Sequence, residues 1–326
     1  MSTHRLSPEW EDWVVGNALD GVEAAELVCA LVQGGVSPSV AQPQVAAILA
    51  SPAMRWARNE RAQRERREQL FQLMRALEEA HDQGVERRSG VGAEEFYDRY
   101  VRNMRPVVLT DLCADWPALT RWDPTYLSQA LGDAQLKVCV GRDALPHPDR
   151  DFEGLVQTMT MAKYAAMVAD AGVSNDLYMI ANNHVAALPE FAALMADLNP
   201  PEHLLEGELA CSFWFGPAGT FTPLHHDNTN ILFCQLRGRK RFRLVAPWSI
   251  ALSSEAEGFY ARRTLEEHLE AGERAYEIEL QPGQALFLPG WWWHEVRSLD
   301  QSVSLSFLNF RQPGAFDWYR PGSGQL

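Results

Sequence analysis

The sequence predicts a mainly β domain preceded by a helical segment. Three observations carry that expectation. Serine–proline pairs recur through the N-terminal quarter, ahead of apolar positions at helical spacing. From Phe96 onward the chain turns to short β-branched and aromatic runs broken by Gly and Pro. Two of those runs, around 222–245 and 281–298, read as strands closed by tight turns. The expected units are residues 1–88, helical, and 89–326, β.

In the first unit, Ser7-Pro8, Ser37-Pro38 and Ser51-Pro52 each set a capping serine before a proline suited to the first helical turn. Gly34-Gly35 and Gly84 are natural stops, so three or four helices are expected. The last, about Pro52 to Gln83, opens with Arg55, Arg58, Arg61 and Arg64 among Glu60, Glu65 and Glu68. It closes with Leu70, Leu73, Met74 and Leu77 at helical spacing. The charges read as a solvated face and the apolar stripe as a docking face, with a homodimer through these helices as the sharper alternative.

In the second unit, Met161 to Ala169 and Leu188 to Ala196 read as helices. The stretch Thr222-Pro223-Leu224-His225-His226-Asp227, continuing to Pro247, reads as two strands joined at Arg237-Gly238-Arg239. An insert from Ser253 to Glu279, with Leu265, His268 and Leu269 at helical spacing, is expected to form a flap or rim. After it, Gln281-Pro282-Gly283 opens an apolar strand that breaks at Pro289-Gly290 and leads to Trp291-Trp292-Trp293-His294. No internal repeat or low-complexity tract is apparent.

His225 and Asp227 are two residues apart, so on a strand both leave one face, and His294 is the candidate third ligand. Two neutral imidazoles and a carboxylate suit iron(II) and leave coordination positions open for a bidentate co-substrate and oxygen. A closed zinc site would need a fourth ligand, and no cysteine pair stands at zinc spacing. His226 is expected to point away and to pack. Lys240 shares a face with Phe242 and Leu244, where a lysine is costly to bury unless an anion meets it; the alternative is a side chain that snorkels to water beside the turn. Alternation sends Trp292 inward beside His294 as a candidate substrate contact, with Trp291 and Trp293 facing the other way.

The segment from Gly283 through Pro289 to His294 resembles the second signature segment of the cupin superfamily. Taken with the His225–Asp227 segment, it resembles the JmjC-domain, cupin-like iron(II) and 2-oxoglutarate-dependent oxygenases. The likeness is to the hydroxylase branch typified by the asparaginyl hydroxylase of hypoxia-inducible factor, over roughly Phe96 to Phe310. The resemblance implies a double-stranded β-helix, or jelly roll, for the second unit. It implies that His225, Asp227 and His294 hold Fe(II), and that Thr222, Lys240 and Tyr178 (in DLYMIANN) bind the distal carboxylate of 2-oxoglutarate. Asn309, in SLSFLNF, matches an asparagine near the co-substrate. Arg105 to Leu109, Trp116-Pro117 and a helix near Pro124 to Leu131 resemble the start of the family's barrel.

Two positions depart from the pattern. Strict alternation puts Thr222 on the face of His226, so its role requires a kink, which Pro223 supplies. A further family asparagine is shifted onto Asn230. The activity implied is a dioxygenase that hydroxylates an amino-acid side chain in a protein or peptide. Alternatives are a small-molecule or natural-product oxygenase, a tRNA-base hydroxylase, a demethylase, and a non-catalytic metal-binding cupin, against which Lys240, Thr222 and Tyr178 together argue. Relatives of the asparaginyl-hydroxylase type dimerise through helices after the barrel, and the short tail beyond Phe310 is not expected to provide that route.

Of the 326 residues, 46% are hydrophobic and 22% charged, which is ordinary globular content. A net charge of -14 argues against general nucleic-acid binding and is compatible with a basic peptide substrate. No apolar run is long enough to span a bilayer, and MSTHRLSPEWEDW lacks a secretion pattern, so no membrane partner is expected. Five scattered cysteines, odd in number, read as reduced thiols and point to a cytoplasmic protein.

Overall fold

Each serine–proline pair opens a helix. The four helices of the first unit are Pro8–Leu19, Ala24–Gln33, Pro38–Ala50 and Pro52–Ala80. Ser7 Oγ accepts the Trp10 amide, and Ser51 Oγ accepts the Met54 amide at 3.1 Å, in the N-cap manner. Gly35, at φ +92°, ends the second helix where a side chain would be strained. Val14, Leu27, Leu31, Ala41 and Val45 close a small core joined by Met54. The stripe Leu70, Leu73, Met74 and Leu77 lies outside that core and is exposed, so the docking expected of it within this unit does not occur.

The computed structural model describes residues 5–80, 84–150, 152–179, 186, 188–206 and 211–312. It divides into Met1–Ala80 and His81–Leu326. The boundary therefore falls before 88, because Glu86–Arg88 is an edge strand pairing in parallel with Val107–Leu109. The end of the long helix expected at 81–83 lies outside the described residues.

The strands of the second unit, in chain order, are β1 (Glu86–Arg88), β2 (Val107–Leu109), β3 (Gln135–Val140), β4 (Val156–Thr160), β5 (Leu177–Tyr178), β6 (Cys211–Gly216), β7 (Phe221–His225), β8 (Ile231–Arg237), β9 (Lys240–Val245), β10 (Tyr276–Leu280), β11 (Ala285–Leu288), β12 (Trp293–Ser298) and β13 (Ser302–Phe307). They form a six-stranded sheet β1-β2-β11-β8-β13-β6, a four-stranded sheet β10-β9-β12-β7, and a small sheet β4-β3-β5. Val108, Phe233, Leu286 and Leu288 of the first meet Phe242, Leu244, Ile278 and Leu280 of the second. This is the jelly roll that the resemblance implied.

The six-stranded sheet is buried on both faces. Leu232, Cys234 and Leu236 of β8, with Phe287, Leu305 and Phe307, turn outward against Phe96, Trp116, Trp122 and Leu127. Two buried faces explain why β8 and β11 read as continuous apolar runs rather than alternating ones. Helices Met161–Asp170 and Pro124–Ala130 form as expected, the latter capped by Asp123 through the Tyr126 amide at 2.7 Å. The expected helix at 188–196 is split into a 3-10 turn, Pro189–Phe191, and a short helix, Ala192–Met195.

The run from Thr222 to Val245 contains three strands rather than two, because His226–Asn230 leaves the sheet between β7 and β8. Gly238 turns at φ +65°, where a Cβ would collide with the Gln301 carbonyl oxygen. The strands on either side of it do not pair; β8 runs in the six-stranded sheet and β9 in the four-stranded one. That crossing carries Lys240 onto the inner face.

Candidate metal centre

Antiparallel pairing of β7 with β12 sets His225 directly opposite His294, with ring centroids 4.1 Å apart. Asp227 is not on the strand, which ends at His225; it reaches the same side from the loop. Its Oδ2 stands 3.5 Å from His294 Nε2 and 4.0 Å from His225 Nε2. One donor atom from each of the three residues lies within 4.8 Å of the others, and no other such group occurs among the described residues. His225 Nδ1 meets the Pro223 carbonyl at 2.8 Å and His294 Nδ1 meets the Trp292 carbonyl at 3.0 Å. Since carbonyls only accept, both Nδ1 atoms carry the proton and both Nε2 lone pairs turn toward Asp227. Burial, with the His225 ring beside it, holds His294 well below the usual imidazole range and so neutral, the form that ligates. The donor set fits a divalent ion held on one face with its other positions open.

Two bonds staple the ligand-bearing loops together. The Trp291 amide donates to the Asp227 carbonyl at 2.7 Å, and the Gly290 amide to Asn230 Oδ1 at 2.9 Å. Asn230, which departs from the family pattern, thus has a local task. His226 turns away as expected, stacked 4.9 Å from Trp291 at 14° and edge-on to Trp293, and burial lowers it to about 4.

The kink required at Pro223 is a β-bulge. His225 pairs with His294 but Thr222 with Val296, so three steps on β7 match two on β12. The extra residue returns Thr222 to the face of His225, and both line one cavity of about 300 Å³ with Asp227, His294, Tyr178 and Lys240.

Lys240 does not snorkel. It is 1% exposed, its Nζ donates to Tyr178 Oη at 3.0 Å, and the rings of Tyr178, Trp214 and Phe233 stand 5.4, 5.7 and 5.2 Å away. No carboxylate pairs with it among the described residues, and burial alone pushes its ammonium down to about 7. A buried cation without an anion is what an anionic ligand would complete. Burial raises the Tyr178 hydroxyl well above the ordinary range, so it keeps its proton. Gly216 makes room for this ring; a Cβ there would stand 2.9 Å from Tyr178 Cδ2.

Two expected contacts are not made. Asn309 does not line the cavity; its amide donates to the Glu206 carbonyl at 2.6 Å, because it follows the end of β13 on the parity opposite to Ser306 and Leu308, which do. Trp292 turns inward, into the cluster of Phe233, Phe242 and Leu288 between the sheets, but does not line the metal cavity. It packs against Trp248 and Tyr276 with Nε1 on the Met104 carbonyl at 2.8 Å, while Trp291 and Trp293 face the other way, against His226. The insert does form a wall. The His226 amide donates to the Phe259 carbonyl and the Ala261 amide to the Leu224 carbonyl, which brings Phe259 and Tyr260 to the cavity's edge. Asp149, Trp214, Gly216 and Tyr260 carry no local sequence signal, since each is brought to the site by tertiary packing alone.

A model of the family described as Cupin-like domain matches residues 93–314. The chain is 32% identical over 241 residues to lysine-specific demethylase JMJ30 of Arabidopsis thaliana, covering 68% of this chain and 54% of that protein. It is 30% identical over 231 residues to Jumonji C domain-containing protein 5 of Drosophila melanogaster, covering 66% and 57%. To the human bifunctional peptidase and (3S)-lysyl hydroxylase JMJD7 it is 23% identical over 256 residues, covering 65% and 79%. The chain spans about half the length of the first two relatives.

Proposed function

Because the chain belongs to the cupin-like JmjC family, whose domain spans residues 93–314, we propose that it is an Fe(II)- and 2-oxoglutarate-dependent oxygenase that hydroxylates an amino-acid side chain in a protein or peptide. The observation that carries this reading is Lys240, a buried cation lacking a carboxylate, in the same cavity as His225, Asp227 and His294. A metal-binding cupin without catalysis would need the three ligands but not the cation.

Through their Nε2 atoms, His225 and His294 would hold iron together with the Asp227 carboxylate. Lys240 Nζ, Tyr178 Oη and Thr222 Oγ1 hold the distal carboxylate of 2-oxoglutarate, so the keto acid end is directed to the metal. Trp214, Phe233 and Phe242 line the inner cavity and exclude water. With both groups and dioxygen bound, the iron would supply oxidative decarboxylation of 2-oxoglutarate to succinate and carbon dioxide, one atom of the dioxygen entering succinate and the other a substrate C–H bond as hydroxyl. Phe259 and Tyr260 leave the outer cavity as the place for that side chain.

The names of the Arabidopsis and human relatives both specify lysine, one as demethylase and one as hydroxylase, which supports a protein side chain over a small molecule. Capture from cell extract with iron replaced by an inert metal, then intact-mass analysis after turnover, tests the proposal. A gain of one oxygen atom is expected; loss of a methyl group would select the demethylase. Five free cysteines support a reducing compartment such as the cytoplasm. The exposed residues Leu70, Leu73 and Met74 support a homodimer through the Pro52–Ala80 helix, and Leu73→Glu should then yield monomer in sedimentation.

A further inference from the structure

We infer that Arg142, paired with Asp149, is a positioning residue for the co-substrate end of the cavity, holding Tyr178 and the Phe221–Thr222 backbone in place. The inference rests on the reading of Lys240, Tyr178 and Thr222 as the 2-oxoglutarate anchor. Arg142 is wholly buried yet does not line the cavity that holds the metal ligands. It follows Gly141, which turns the chain at φ +84°. Its guanidinium donates in a fork to both oxygens of Asp149, at 3.2 and 2.9 Å. Nε donates to the Asn175 carbonyl at 3.1 Å, and Nη2 also donates to the Phe221 carbonyl at 2.9 Å.

These bonds converge on the two segments that carry the anchor. Asn175 precedes Tyr178 by three residues, and Phe221 precedes Thr222 by one. The Phe221 amide donates to Asn175 Oδ1 at 2.8 Å, so both polar groups of Phe221 are fixed, the carbonyl by Arg142 and the amide by Asn175. The guanidinium carbon lies 5.5 Å from the centre of the Tyr178 ring, whose hydroxyl receives the Lys240 ammonium. On its other side Asp149 lines the cavity, and its carbonyl accepts the Tyr260 hydroxyl at 3.1 Å. One ion pair thereby ties the anchor, the strand bearing His225 and the wall from the insert.

A buried ion pair contributes little net stability, because desolvation offsets the attraction. Folding energetics therefore do not account for this pair, whereas placement of the anchor does. Lysine at 142 keeps the charge and loses the fork.

The test is calorimetric titration of 2-oxoglutarate into Mn(II)-loaded protein, with Mn(II) affinity and thermal midpoint measured alongside. Arg142→Lys should raise the 2-oxoglutarate Kd by about tenfold or more while Mn(II) affinity is unchanged. Asp149→Asn, of the same shape, should move it in the same direction and decides the matter if Arg142→Lys does not fold. In a Tyr178→Phe background, Arg142→Lys should add less than it does in the wild type, since part of its effect runs through the Tyr178 hydroxyl. Unchanged or tighter 2-oxoglutarate binding in folded Arg142→Lys or Asp149→Asn, or an equal loss in both backgrounds, would overturn the inference and leave the anchor standing. A wild-type protein that does not bind 2-oxoglutarate would overturn the anchor reading itself.

Discussion

Lys240 makes the site's pH behaviour predictable from one side chain. Its pKa of about 7 in the folded protein lies below that of an exposed lysine, so between about pH 7 and 10 the unfolded chain holds a proton that the ligand-free folded protein lacks. Stability of the ligand-free protein should therefore rise with pH across that window. A dianion restores the proton, so 2-oxoglutarate should bind with proton uptake, and its affinity should fall about tenfold per pH unit above about 7. Calorimetry in buffers of differing ionisation enthalpy reads that uptake directly. Lys240→Met should make the ligand-free protein more stable by about 1 to 4 kcal/mol, and should weaken 2-oxoglutarate by about 2 to 5 kcal/mol. Urea unfolding with and without the keto acid checks both signs at once. At the metal, His225→Ala, Asp227→Ala and His294→Ala should each abolish tight Fe(II) binding, read as bound iron after desalting, while His226→Ala should retain it. The three ligands and Lys240 were legible as residue types at fixed spacing. Arg142, Asp149 and Gly216 were not, since their roles arise from contacts with residues distant in the chain.

At the scale of elements, strand alternation is a sound guide only where the backbone stays regular. It placed Lys240, Phe242 and Leu244 on one face, as β9 has them. It sent Trp292 inward and Trp291 and Trp293 outward, as they lie, though Trp292 stops short of the cavity, and it reached Thr222 only through the bulge before His225. A bulge has no dependable sequence mark, because neighbouring strands impose it. Trp292 is thus core rather than a substrate contact. Trp292→Ala should cost about 3 to 5 kcal/mol of stability, while the folded fraction keeps its wild-type 2-oxoglutarate affinity; denaturant titration and calorimetry separate the two. Gly216→Ala should do the reverse. A Cβ pressed against Tyr178 moves the anchor, so the 2-oxoglutarate Kd should rise with iron binding unchanged.

For the whole molecule, the helical start and the β remainder were legible from capping serines and a change of periodicity. The boundary was not, because the short strand Glu86–Arg88 has no pattern of its own and is recruited by Val107–Leu109. Every residue assigned to the metal, the anchor and the wall lies in the unit His81–Leu326. A fragment starting at 81 should accordingly bind Fe(II) and 2-oxoglutarate like the full chain, and a loss in that fragment would assign the helices a share in the site. The account depends most on one cavity holding both a metal and a keto acid, and anaerobic titration of the Fe(II)-loaded full chain with 2-oxoglutarate, followed by visible absorption, tests it most directly. A saturable charge-transfer band is predicted, absent in Asp227→Ala and displaced to much higher 2-oxoglutarate in Lys240→Met; folded, iron-loaded wild-type protein that shows no band, or matching curves for wild type and Lys240→Met, would contradict it.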